Sequence, residues 1–302
     1  MRKILIIREG ALGDLILTFP VFLNLKNNNF SVSVAGKGIY KNFAEKYGSI
    51  EEFIPIDSSS FIFFFENEIE KLRNFLEKFD IIIAYCNEDD QIGKNLKNVF
   101  SKNLMFHPIK FQDLKIHITD YLNFPLKSFI YSDLVDKFRL NIEKKEEVFV
   151  IHPGSGSKCK NWNKENFLSI ANELKNVIII LGPNEEDEYD FWKKNFKGKI
   201  VLNPELDEIV EIAKRTIVYI GNDSGITHLF SITGVKTIGI YGPTSPFIWG
   251  PKGENVKIVY KNVGCNPCDR ERYTRCQKRN CLEEIKIEDV MKIIKNGRTG
   301  NI

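Results

Sequence analysis

The sequence predicts an α/β protein made of two doubly wound parallel sheets. Three observations carry this. Short, near-continuous Ile/Val runs alternate with longer mixed stretches along the chain, the pattern of buried parallel strands joined by helices. The series occurs twice. The charged stretch "LVDKFRLNIEKKEEV" at 134–148 lies between the two series.

In the first series strands are expected at 3–8, 30–36, 51–56, 80–86 and 103–107, with helical patterns such as 14–27 and 67–79 between them. In the second, strands are expected at 147–153, 176–181, 199–203, 216–222 and 235–242. The boundary is placed within 125–146, which gives an N-terminal domain 1–135 and a C-terminal domain 136–302. Open sheets of this kind bind ligands beyond the carboxyl ends of their strands. The turns that follow strands are therefore where chemistry is expected, on two domains facing across a cleft. The last residues, "NGRTGNI", read as a frayed tail.

Length and composition set the bounds. The chain has 302 residues, 43% of them hydrophobic, and a formal net charge of +3. That suits a globular protein with a sizeable core and shows no whole-chain footprint for nucleic acid. The densest apolar patch, "FIFFF" at 61–65, is far below the roughly 18 residues a membrane span needs. The start "MRKILIIREG" does not read as a signal peptide, because Arg8 and Glu9 interrupt a short apolar run. A cytoplasmic protein is expected, whose six cysteines are thiols or metal ligands more readily than disulfides.

The first motif is "EGALGD", a strand-to-helix turn with Gly10 and Gly13. It is not the dinucleotide-binding glycine pattern; its glycines allow close approach of the backbone. Asp14 stands at an N-cap position, where a carboxylate commonly does no more than cap the helix. The alternative is a general base that takes a proton from an attacking hydroxyl.

The second is "HPGSGSKCKNW", 152–162, where a strand ends at His152. Ser155, the flanking glycines and two lysines, Lys158 and Lys160, suit a phosphate; a flexible surface turn is the bland alternative. Asn163 then caps the next helix. The third is "GNDSGITHLF" from 221, where a helix start places Asp223, Ser224, Gly225 and His228 beside backbone amides that would face an anion. A lone His is more often a satisfied interior residue. The "YGPTSP" turn that follows is a second rim. The fourth, "GPNEEDE" from 182, puts Glu185 and Glu186 where an acid hydrogen-bonds ribose hydroxyls, although a solvated acidic helix start has the same appearance.

Taken in order, "GALGDLILTFP", "HPGSGSKCKNW", "LGPNEEDE", "GNDSGITHLFSITGVKTIGIYGPTSP" and "CNPCDRERYTRC" resemble the ADP-heptose:lipopolysaccharide heptosyltransferases, glycosyltransferase family 9. The resemblance spans residue 3 to about 295. It implies the GT-B architecture, two Rossmann-like domains with a cleft between them. It implies inverting transfer of heptose from ADP-heptose to the inner core of lipopolysaccharide, with no cofactor required for catalysis. By the same resemblance Asp14 is the base on an acceptor-binding N-terminal domain. Lys160 meets the donor diphosphate, with Lys158 as its competitor. Ser155, Asp223, Ser224, Gly225 and His228 line the donor phosphates, and Glu185 or Glu186 holds the ribose. The partners implied are ADP-heptose or a related nucleotide sugar, and a glycolipid acceptor at the inner face of the cytoplasmic membrane; no nucleic acid is expected. The acceptor contacts are open, with Lys37, Lys41, Arg73 and Lys97 as candidates against ordinary solvated charge.

Cys265, Cys268, Cys276 and Cys281 read C-x2-C-x7-C-x4-C inside a basic segment, 265–281. Four such thiols fit a structural zinc site, and free or disulfide cysteines are the alternative. Other readings of the whole chain are a sister glycosyltransferase using another nucleotide sugar, a non-catalytic nucleotide-sugar-binding protein with no use for Asp14, and a zinc-knuckle nucleic-acid binder.

Overall fold

The computed structural model describes residues 1–99, 103–109, 115–145 and 147–296. Residues 297–302 of the expected frayed tail and residue 146 of the charged stretch lie outside the described residues. The chain divides into two compact units, Met1–Phe138 and Arg139–Ile302.

The N-terminal unit holds β1 (Arg2–Ile7), β2 (Phe30–Gly36), β3 (Glu52–Pro55), β4 (Ile81–Ala84) and β5 (Leu104–Phe106). They form one sheet in the order β3-β2-β1-β4-β5, and every pairing is parallel. The central strands are apolar on both faces because both faces are covered. Ile4 to Ile7 and Ile82 to Ala84 are fully buried. The "FIFFF" patch supplies core: Phe63 and Phe64 are buried and stack edge-on or tilted with Phe61 and Phe75. The helix Leu12–Asn27 follows β1 and buries nearly all of its apolar side chains. Its buried Asn24 donates to Asn123 Oδ1 (3.0 Å) and to Val135 O (2.8 Å), tying the end of the unit to its first helix.

The C-terminal unit holds β6 (Val148–His152), β7 (Val177–Leu181), β8 (Lys199–Leu202), β9 (Thr216–Asn222), β10 (Lys236–Tyr241) and β11 (Val256–Tyr260). Its order is β11-β10-β9-β6-β7-β8, again parallel throughout. The edge strand β11 was not expected from the sequence. It is only partly covered, so Lys257 interrupts its apolar run and the buried-strand signal is lost.

In both sheets the strand order reverses beside the first strand, between β1 and β4 and between β6 and β9. At such a switch point the loops leaving the two strands diverge and open a crevice. The loops after β1 and β4 therefore frame one candidate site, and those after β6 and β9 another. Among the described residues no helix is long and apolar enough to cross a membrane.

Candidate active site

In the N-terminal unit, Asp14 lies in the first turn of the helix Leu12–Asn27, but not at its cap. Ala11 is the N-cap, and Asp14 is the third helical residue. Its Oδ2 accepts the Ala11 N–H at 2.9 Å, the backward half of a capping box. Its Oδ1 accepts from Arg8 Nη2 at 2.8 Å. Capping and the ion pair are thus carried on separate oxygens. Gly10 is required by this turn, since a Cβ there would fall 2.6 Å from the Asp14 Cβ. Gly13 occupies the first helical turn beside Asp14.

Arg8 is the residue the sequence reading missed. It follows β1 directly, is 7% exposed, and its Nε is buried without a hydrogen-bond partner. A buried guanidinium is costly unless paired, and Asp14 is the ion pair it has. Tyr40 stands nearby. Burial raises its phenol above the ordinary value; a Leu12 backbone hydrogen bond opposes this, and the Asp14 charge adds to it. After β4, burial pushes the Cys86 thiol up to about 12, aided by Asp90 and Glu9, which leaves it neutral. Of the acceptor candidates, Arg73 and Lys97 are held in surface ion pairs with Glu70 and Glu88.

In the C-terminal unit the expected donor residues largely converge. Asp223 directly follows β9 and is 6% exposed. Its Oδ2 accepts from Lys160 Nζ at 3.1 Å and from Thr244 Oγ1 at 2.7 Å. Three loops thereby meet at one carboxylate. Ser224 caps the helix Gly225–Ile232, accepting the Thr227 N–H at 3.3 Å. Its hydroxyl also lies 3.4 Å from His152 Nδ1. His152 Nε2 in turn lies 3.6 Å from Glu185 Oε2. Glu185, His152 and Ser224 are all nearly fully buried and span the switch point. Gly225 opens the helix, and His228 is buried one turn on.

The two lysines part company. Lys158 is exposed and pairs with Asp187 at 2.6 Å; that hydrogen bond raises its pKa. Lys160 is largely covered and points to Asp223. The two glutamates part as well. Glu185 accepts the Gly182 N–H at 2.9 Å and sits against Gly154, where a Cβ would be 1.9 Å from its carboxyl carbon. Glu186 is exposed and takes a hydrogen bond from Asn203, outside the cluster. Ser155 is buried, but its hydroxyl reaches Ser157 O (2.8 Å) and Asn161 Oδ1 (2.6 Å), so it staples its own loop.

Beneath the cluster, Asn222 Oδ1 accepts the Trp162 N–H (2.9 Å) and its Nδ2 donates to Pro153 O (2.6 Å). Thr227 bridges Tyr219 and Ser224 through hydroxyl contacts of 3.0 and 3.1 Å. Thr244, Asn222 and His152 fall inside motifs that carry the resemblance, but no role was expected for any of them from the sequence.

The four-thiol metal site expected from spacing is not assembled. Among the described residues no group of three or more His, Cys, Asp or Glu side chains is placed to hold a metal ion. Cys265 and Cys276 are exposed while Cys281 is buried in the hydrophobic core. The Cys268 and Cys276 thiols donate to the carbonyls of Cys265 (3.2 Å) and Lys278 (2.9 Å). Burial, then the neighbouring Cys268, Cys265 and Cys276 thiols, pushes the Cys281 thiol up to about 11.

Two parallel doubly wound units, each with its polar residues at the switch point, make up the fold of the GT-B glycosyltransferases. The chain is a glycosyltransferase, and it belongs to the family described as glycosyltransferase family 9 (heptosyltransferase), which matches residues 111–278. It is 24% identical over 332 aligned residues to lipooligosaccharide heptosyltransferase 2 of Campylobacter jejuni, covering 97% of this chain and 98% of that protein. Its fold is similar to that of a family 9 glycosyltransferase from Veillonella parvula, with a TM-score of 0.77 at 19% identity, covering 98% of this chain and 96% of that one. The Escherichia coli ADP-heptose LPS heptosyltransferase II gives 0.73 at 13% identity, with coverages of 97% and 98%.

Proposed function

We propose that the protein transfers heptose from ADP-heptose to the inner core of lipopolysaccharide, with inversion and without a metal. The observation that carries this is the meeting of Lys160 and Thr244 on Asp223, beside the capped start of the helix Gly225–Ile232. The helix start supplies N–H groups and positive potential for an anion. Lys160 supplies a cation whose place is set by Asp223. Together they suit a diphosphate leaving group. Glu185, buried at the neighbouring strand end, suits a ribose hydroxyl.

In this reading the C-terminal unit, Arg139–Ile302, holds the donor, and the N-terminal unit, Met1–Phe138, carries the acceptor and the base. Asp14 accepts the proton of an acceptor hydroxyl, and that oxygen attacks the anomeric carbon opposite the ADP. The bond to the diphosphate oxygen breaks as the new glycosidic bond forms, so configuration inverts in one displacement. Lys160 and the helix amides stabilise the charge that develops on ADP. Positioning accounts for much of the remaining rate. The acceptor is a glycolipid, which places the working enzyme in the cytoplasm at the inner face of the membrane. The similarity to heptosyltransferases over nearly the whole chain supports this assignment.

The test is calorimetric titration with ADP of the wild type and Asp14→Asn, followed by turnover of ADP-heptose with core-truncated glycolipid. ADP binding by both, with turnover lost in the variant alone, supports the reading. ADP binding without turnover by wild type would point to another nucleotide sugar or another acceptor. No ADP binding would remove the donor-site assignment.

A further inference from the structure

The Cys-rich segment plays no part in the mechanism above, yet it is tied to both loops that meet Asp223. Arg279 Nη1 donates to Lys158 O at 2.9 Å. Lys158 opens the short 3-10 turn Lys158–Lys160, which buries none of its own residues. On the other side, the Cys268 N–H donates to Pro243 O at 2.6 Å and Asn266 Nδ2 donates to Gly242 O at 2.9 Å. Those carbonyls directly precede Thr244. Asn266 is 7% exposed, and its amide is fully engaged, with Nδ2 also on Lys261 O (2.9 Å) and Oδ1 accepting the Val263 N–H (3.0 Å). The contact is also steric: a Cβ at Gly242 would stand 2.5 Å from Leu282 Cγ. Further along, Ile285 O accepts from Trp162 Nε1 at 3.1 Å.

A turn whose residues are at most half-buried has little packing of its own to set its position. The hydrogen bonds at its ends therefore carry much of that task, beside the ion pairs of Lys158 and Lys160. The Lys158–Lys160 turn has the Lys160 N–H on Ser157 O (2.9 Å) at one end and the Trp162 N–H on Asn222 at the other. Arg279 adds a charge-assisted bond to the turn's first carbonyl, the stronger kind. Arg279 comes from a part of the chain remote in sequence.

We propose that the segment 265–285 is a positioning element for the donor site, in which Arg279 sets the place of Lys160 while Asn266 and the Cys268 backbone set the place of Thr244. The cysteines then serve the local turns of the segment, through their thiol bonds to Cys265 O and Lys278 O. This rests on the donor-site reading of Lys160 and Asp223 given above.

The experiment titrates ADP and adenosine into wild type, Arg279→Ala, Arg279→Lys, Arg270→Ala and Lys160→Ala. Arg279→Ala is expected to weaken ADP about fivefold, the worth of one ordering hydrogen bond, and to leave adenosine unchanged. Arg279→Lys keeps a charged donor and recovers most of the loss. Arg270→Ala removes the same charge from the same exposed segment and binds ADP as wild type does. Equal ADP affinity in Arg279→Ala and wild type would overturn the proposal. So would an equal loss in Arg270→Ala, which would mean net charge alone, or an equal loss for adenosine, which would mean general loosening. Undiminished ADP binding by Lys160→Ala would instead sink the donor-site reading, and the proposal with it.

Discussion

Arg8 donates to Asp14 at 2.8 Å across the first turn, and the two side chains differ sharply in exposure, 6% against 31%. The guanidinium is inside and the carboxylate is at the surface. Asp14 is therefore held from below by Arg8 and from behind by the Ala11 N–H. Removing the carboxylate strands a buried cation, whereas an amide keeps an acceptor oxygen for it. Asp14→Ala is expected to lower stability by about 1–3 kcal/mol, less than a fully buried pair would give, and Asp14→Asn by clearly less. Urea titration checks this, and equal losses in the two variants would contradict it.

Gly154 is where Glu185 rests. The overlap a Cβ would create, at 1.9 Å, can be relieved only by moving the carboxyl or the loop. Gly154→Ala should cost about 1–3 kcal/mol of stability and weaken ADP about tenfold or more, because Glu185, the acid proposed to hold the ribose, is displaced. Gly156, where an added Cβ meets nothing within 4 Å, is the internal control, and Gly156→Ala should bind ADP normally.

Lys158 and Lys160 each pair with an aspartate, but the first pair is exposed and the second largely covered. Lys160→Ala is expected to weaken ADP on the order of 100-fold, the loss of the charged diphosphate contact proposed for it. Lys158→Ala removes an exposed pair of the kind that contributes little and should change ADP affinity by no more than about threefold. A reversed ranking in calorimetry would reassign the phosphate contact.

His107 follows β5 and stacks on Tyr121 with ring centroids 4.1 Å apart. Burial lowers its pKa below the ordinary 6.5, partly opposed by its hydrogen bond to Tyr121 O. A base whose folded pKa is depressed contributes stability above its unfolded pKa and loses it as pH falls. The N-terminal unit should thus lose stability as pH drops below about 6.5. His107→Gln should flatten that part of the profile, and denaturant midpoints between pH 5 and 8 would read it.

The cysteines give a graded prediction. Cys265 and Cys276 are exposed and should be alkylated first by iodoacetamide at pH 8. Cys281 and Cys86, pushed up to about 11 and about 12 by burial, should resist until the protein is unfolded. Mass mapping of the alkylated peptides that found Cys281 reacting as fast as Cys265 would contradict the burial described here.

The sequence by itself determined the strands that carry the sites. A central parallel strand must be apolar on both faces, so runs such as "KILII" and "VIIIL" announce themselves without any long-range information. The loops after them follow from the same pattern, and with them the neighbourhood of Asp14, Lys160 and Asp223. The edge strand β11 escaped because half-coverage relaxes that demand. What only the tertiary structure decided is which side chains meet. Lys160 and Asp223 are 63 positions apart, and Arg279 reaches Lys158 across 121. Glu185 and Glu186 are identical in type and adjacent in sequence, and one is buried only because the turn after Gly182 directs it toward Gly154. Arg8 looked like a charge ending an apolar run until β1 carried it beneath the turn that holds Asp14. Local pattern reports how much of a residue is buried; its partner is set by packing between segments that the pattern does not relate.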